Sequence, residues 1–213
     1  MRNFTLLAVF TLLLAGCNRD PYQVQNPDPN HTHVDFALWI EGEKIDLSGD
    51  EFMSGLSTDE HTHDEEGEYH HQYLHLHDGN GHVMHSHKPG QTLRTFFESL
   101  GFAFSKDGLN VCIQAPGKSR VCEDEAMHRN WIFIVNGEKK PFLDIEYAFQ
   151  DLDKVLIVLS KTDDGDEHPE AWGYWEQMTD DACLYSKRCP WRGDPPTENC
   201  VADPAVPCVA PLD

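Results

Sequence analysis

The stretch HHQYLHLHDGNGHVMHSHKPG, residues 70–90, holds seven of the chain's 13 histidines, and eleven of the 13 fall between residues 31 and 87. Within that window the pattern His-x-His occurs four times, at His31/His33, His61/His63, His75/His77 and His85/His87. On a β-strand, residues i and i+2 point to the same face, about 6.5–7 Å apart at Cα. The two imidazoles of such a pair can therefore converge on one ion, with metal–nitrogen bonds of about 2.0–2.1 Å. Imidazole, assisted by carboxylate, suits Cu(II), Zn(II) or Ni(II) better than calcium or magnesium, and the affinity order places Cu(II) first. The chemistry expected of these residues is transition-metal binding, with Cu(II) or Zn(II) as the ion.

The pairs at 75/77 and 85/87 read as one folded unit. Gly79-Asn80-Gly81 forms a three-residue hairpin loop, with Gly81 in the left-handed conformation such loops require. His77 then pairs with Val83, His75 with His85, and Tyr73 with His87. On that register His75, His77, His85 and His87 share one face, while Leu74, Leu76 and Met84 share the other. A loop of even length flips the parity and sends the two His pairs to opposite faces. Only the odd loop separates imidazole from aliphatic side chains. Residues 31–40 are segregated in the same way, with Val34, Phe36, Leu38 and Ile40 opposite His31, His33 and Asp35. The expected ligand set is therefore His31, His33, Asp35, His75, His77, His85 and His87 on one metal-binding surface. Met84 falls on the opposite face, which argues against a methionine-rich Cu(I) site.

The remaining histidines lack such a pattern. His61-Thr-His63-Asp-Glu-Glu lies within a polar loop over 48–69 and, together with His70 and His71, reads equally well as a solvated, metal-attracting tract. His128 and His168 stand alone and carry no assignment. Two catalytic patterns are incomplete. His-x-His-x-Asp at 31–35 is similar to part of the metallo-β-lactamase motif, but Phe36 stands where a further histidine belongs. Residues 55–68 resemble the first cupin motif, but His75 replaces its terminal glycine and no second motif is recognisable. A metal-dependent enzyme, either a zinc hydrolase or a cupin-like oxygenase, is thus the alternative to metal binding alone. It would need an open metal position and a placed acid or base. A third reading is an envelope interaction module that the metal merely staples.

The elements that must position these rings follow from periodicity and turn residues. Residues 31–47 read as a hairpin about Glu41-Gly42-Glu43. Thr92 caps a short helix through Leu100, with Leu93, Phe96, Phe97 and Leu100 inward and Gly101 as its stop. LNVCIQAPGKSRVC reads as a hairpin about Pro116-Gly117, and Cys112 and Cys122, symmetric about Gly117, face each other across it. WIFIV (131–135) runs into an Asn136-Gly137 turn, and KVLIVL (154–159) is a further buried strand. The fold class expected is α+β: an antiparallel β-rich domain of hairpins plus one short helix over 31–160, and an irregular, disulfide-stapled extension over 161–213. Within the extension, DDGDE (163–167) reads as solvated linker. Trp172, Tyr174 and Trp175 read as a packing patch.

The N-terminus sets the compartment. MRNFTLLAVFTLLLAGC has one early cation and an apolar run shorter than the roughly 20 residues a spanning helix needs. Its ending, Leu14-Ala15-Gly16-Cys17, resembles the bacterial lipobox, which implies a signal over 1–16, lipidation of Cys17, a tether over 17–30 and attachment to a membrane through the lipid. Asn18 after the cysteine favours outer-membrane sorting. The other six cysteines, Cys112, Cys122, Cys183, Cys189, Cys200 and Cys208, form an even set in an exported chain, which argues for disulfides. The pairing of the last four stays open. A zinc knot is the alternative, although their spacing lacks a Cys-x2-Cys pair. A formal charge of −21 repels nucleic acid and anionic lipid and concentrates cations.

Taken together, His-x-His-x-Asp-Phe, HLHDGNGHVMHSH, TLRTFFESLG, IVNGEKK and DLDKVLIV resemble a family of uncharacterised exported bacterial and archaeal proteins over roughly residues 31–160. The resemblance implies a folded, exported domain, leaves out the cysteine-rich extension, and supplies no activity. The expected function is metal buffering or delivery in the cell envelope, with the metal ion, the membrane and an envelope protein as partner classes.

Overall fold

Alternation of apolar and polar residues makes Thr32–Ile40 a strand (β1), and a tight turn at Glu41 and Gly42 returns the chain into Glu43–Lys44 (β2). The computed structural model describes residues 26, 30–53, 71, 73–107, 110–161 and 167–195. Cys17, the His61/His63 pair, His70, Cys200, Cys208 and nearly all of the expected tether lie outside the described residues.

The His-rich hairpin supplies Leu74–His75 (β3) and Val83–Ser86 (β4). Helix α1, Leu93–Ser99, starts where the Thr92 hydroxyl accepts from the Thr95 amide and stops at Gly101 with φ of 81°. The chain continues through Ala103–Asp107 (β5), Asn110–Gln114 (β6), Val121–Cys122 (β7), Asn130–Val135 (β8), Glu138–Lys140 (β9) and Lys154–Ser160 (β10). Helices Pro169–Gln177 (α2) and Ala182–Tyr185 (α3) close the described chain.

One seven-stranded sheet has the order β3-β4-β1-β10-β8-β9, with β2 beside β1, and β5-β6-β7 form a second, three-stranded sheet. Antiparallel pairings dominate, in keeping with an α+β class, but the central pair β1–β10 is parallel, with Asp35 opposite Lys154 and Ile40 opposite Leu159. Hairpin signals are local and carry no information on this long-range pairing. Cys112 and Cys122 are cross-strand partners joined by a disulfide, as their symmetry about Gly117 implied.

The large sheet buries both faces. On one, Val34, Phe36, Leu38, Leu74, Leu76, Met84, Phe133, Val155 and Ile157 pack with Leu93, Phe96 and Phe97 of α1. On the other, Ala37, Ile132, Ile134, Leu156 and Val158 receive α2 through Ala171, Trp172, Tyr174 and Trp175, and Tyr174 stacks on Trp39 at 3.7 Å. The aromatic group at 172–175 is thus a packing patch. Among the described residues there are three α-helices, two more than the periodicity predicts. The additional two come from the extension, whose segment through Tyr185 lies on the sheet, with Ala182 and Tyr185 against Val83. A disulfide joins Cys183 to Cys189. Among the described residues no helix is long and apolar enough to cross a membrane.

Candidate metal centre

Strand register assembles the site. His75 lies opposite His85 on β3–β4, and His85 lies opposite His33 on β4–β1, so three imidazoles stand in one row across three strands. The neighbouring row holds His31 and His87, whose rings are 4.1 Å apart. His77 joins from the loop side, its ring 4.1 Å from that of His85. All six rings lie on the sheet face opposite α1, because strand parity sends Leu74, Leu76, Met84 and Val34 to the α1 side. The expected surface is in fact interior: His33, His75, His85 and His87 are each at most 2% exposed. Tyr185 of the extension lies tilted over His33, 5.6 Å between ring centroids, and packs edge-on at 4.8 Å from His85.

The hairpin loop reaches this register by a different conformation from the one its glycines suggested. Asp78 and Gly79 take the left-handed conformations (φ 57° and 67°), and Gly81 does not. Asn80 holds the bend, its Oδ1 accepting from the amides of His82 and Val83 at 3.0 and 3.1 Å. Gly81 is required for another reason: a Cβ there would stand 2.4 Å from the carbonyl carbon of Leu47.

Two rings are oriented by acceptors behind them. His77 donates from Nδ1 to the Asp78 carboxylate at 2.7 Å, which leaves Nε2 as its coordinating nitrogen. Ser186 donates its hydroxyl proton to Asp151 at 2.5 Å, so its oxygen accepts from His33 Nδ1 at 2.6 Å. Nε2 of His33 is thereby the coordinating atom as well. His77 Nε2 lies 3.2 Å from His85 Nδ1. Two nitrogens bound to one tetrahedral ion lie roughly 3.3–3.4 Å apart, given bonds of about 2.0–2.1 Å. The pair therefore already has nearly the separation that a shared ion requires.

Among the described residues, two groups have ligand atoms close enough to hold a metal ion: His31, His33 and His85, and His75, His77 and His85. His87, 4.1 Å from His31 and 5.0 Å from His75 between ring centroids, lies between them. Asp35 is not brought into either group. It shares a row with Val83, and its carboxylate accepts from the amides of Asp181 and Ala182 and from the Thr179 hydroxyl, all within 3.1 Å. It anchors the start of α3. Burial pushes its carboxyl up to about 7, against the lowering effect of these three donors.

Sequence reasoning did not single out Asp78, Asp151, Tyr185 or Ser186. Asp78 was discoverable, since a carboxylate directly after a candidate ligand is a common orienting partner. Ser186 and Asp151 have no local signal, because tertiary contact alone brings them to His33.

Fold and site define an α+β domain with a buried, pre-oriented cluster of imidazoles able to hold a metal. Scans of protein-family models, curated proteins and solved structures return no match to this chain.

Proposed function

We propose that the protein is an envelope lipoprotein that binds a transition metal, Cu(II) or Zn(II), through the imidazoles on β1, β3, β4 and their hairpin loop, for buffering or delivery. The row of His75, His85 and His33 across three paired strands carries this reading, together with the orientation of His33 and His77 toward the shared interior. Borderline nitrogen donors without thiolate or carboxylate in either group favour Cu(II) and Zn(II) over hard cations. The lipobox ending at Cys17 supports anchoring by a lipid, and the formal charge of −21 supports attraction of cations to the surface.

Metal analysis of protein purified from the periplasmic or membrane fraction without an affinity tag identifies the ion. Calorimetry then compares two double variants. His75→Ala/His85→Ala abolishes tight binding, whereas His61→Ala/His63→Ala leaves it in place. Equal losses in the two would mean a diffuse tract. Wild type recovered wholly in the soluble fraction, with Cys17→Ala behaving identically, would refute the anchor.

A further inference from the structure

We infer that the cluster is a two-ion centre in which His85 bridges the metals, one ion on each of its ring nitrogens. The inference rests on the metal-binding reading above and extends it to the number and coupling of the ions.

Three observations lead here. First, six imidazoles are gathered, whereas a single Zn(II) takes four ligands. One ion would leave two of the six rings outside its shell. Second, the two groups of three share only His85, which is fully buried between them, its ring 4.6 Å from His33 on β1 and 5.2 Å from His75 on β3. Third, each group contains a ring oriented independently, His33 by Ser186 and Asp151, and His77 by Asp78. Separate orienting partners are what two ions require, since each ion needs its own fixed nitrogen.

The 3.2 Å approach of His77 Nε2 assigns His85 Nδ1 to the group with His75 and His77. That leaves His85 Nε2 for the group with His31 and His33. In the neutral tautomer that donates from Nδ1 to Asp78, His77 Nε2 is an acceptor, and His85 Nδ1 then donates to it. An ion can bind Nε2 of the neutral ring. A second ion at Nδ1 displaces that proton to solvent and leaves a bridging imidazolate. His87 is placed to add a nitrogen to either ion.

The test uses the full chain carrying His61→Ala, His63→Ala and His70→Ala, which removes these imidazoles outside the described site, titrated with Cu(II) alone. Bound metal is counted after desalting, and the integrated electron-spin resonance signal is followed. Two tight ions per chain are expected, with the signal growing to one equivalent and then collapsing at two as the bridged spins couple. Within that background, His31→Ala and His77→Ala, each at the rim of one group, are each expected to reduce the count to one ion with full signal. Circular dichroism confirms that both fold. One ion per chain in the background protein would overturn the bridge and leave the metal-binding reading standing. Two ions with undiminished signal would also overturn it. No tight binding at all would refute both.

Discussion

Ser186→Ala removes one hydroxyl that touches no proposed metal. Its oxygen accepts from His33 Nδ1 at 2.6 Å and passes its own proton to Asp151 at 2.5 Å, and Asp151 in turn accepts from the His33 amide at 3.2 Å. Without the hydroxyl, His33 is no longer held with Nδ1 protonated and Nε2 inward. Loss of such an orienting partner typically costs metal affinity about 10- to 100-fold, or roughly 1.4–2.7 kcal/mol. Ser186 is only 2% exposed, so removing its hydrogen bonds should also cost about 1–3 kcal/mol of stability. Competition against a chelator of known affinity, at constant pH with Zn(II) as probe, measures the first quantity, and urea unfolding of the metal-free protein measures the second. Ser186→Thr, which keeps the hydroxyl, should recover much of the affinity. If Ser186→Ala bound Zn(II) as tightly as wild type while folding normally, the orienting role assigned to Ser186 and Asp151 would be wrong.

The pH dependence has two expected parts. Coordinating imidazoles must be neutral, so metal affinity should fall steeply between pH 7 and pH 5, as calorimetry at the two values would show. In the metal-free protein, Asp35 has a folded pKa raised to about 7 from 3.8, so folding takes up a proton between these values. Its contribution is most favourable below about pH 4 and is lost at roughly 1.4 kcal/mol per pH unit as pH rises toward 7. Urea unfolding should therefore show wild type losing stability relative to Asp35→Asn over that interval. Reducing Cys183–Cys189 should loosen α3 and weaken metal binding, whereas Cys112→Ala/Cys122→Ala, in the other sheet, should lower the melting temperature with little change in affinity. Gly81→Ala should destabilise the fold by a few kcal/mol, about the cost of an overpacked core, because its Cβ would meet Leu47 and Ser48 backbone within 2.5 Å. Thermal melting checks it, and a melting temperature near that of wild type would refute the close approach.

Much of the site was legible because a strand has period two. Once His75, His77, His85 and His87 alternate with Leu74, Leu76 and Met84, burial of the aliphatic side chains selects the face on which the imidazoles must stand, and the odd loop sets their register. The alternation of His31 and His33 with Val34 and Phe36 works in the same way, and β1 pairs with β4 so that His33 meets His85. The helix cap at Thr92 and the Cys112–Cys122 bridge were equally local, since each depends on residues within about ten positions of one another.

Long-range contact decided the rest. Nothing near residue 35 distinguishes a metal-ligating carboxylate from one that anchors a helix some 146 residues later, and only docking of the extension assigns Asp35 to the amides of Asp181 and Ala182. The parallel pairing of β1 with β10 likewise depends on which strands find each other, not on either strand's own pattern. The same docking turns a histidine-lined surface into a buried centre, bringing Tyr185 and Ser186 against rings that alternation alone would leave facing water. Side-chain periodicity specifies a face. What covers that face depends on apolar area and hydrogen-bonding partners brought from distant parts of the chain, and these come together only in the folded molecule.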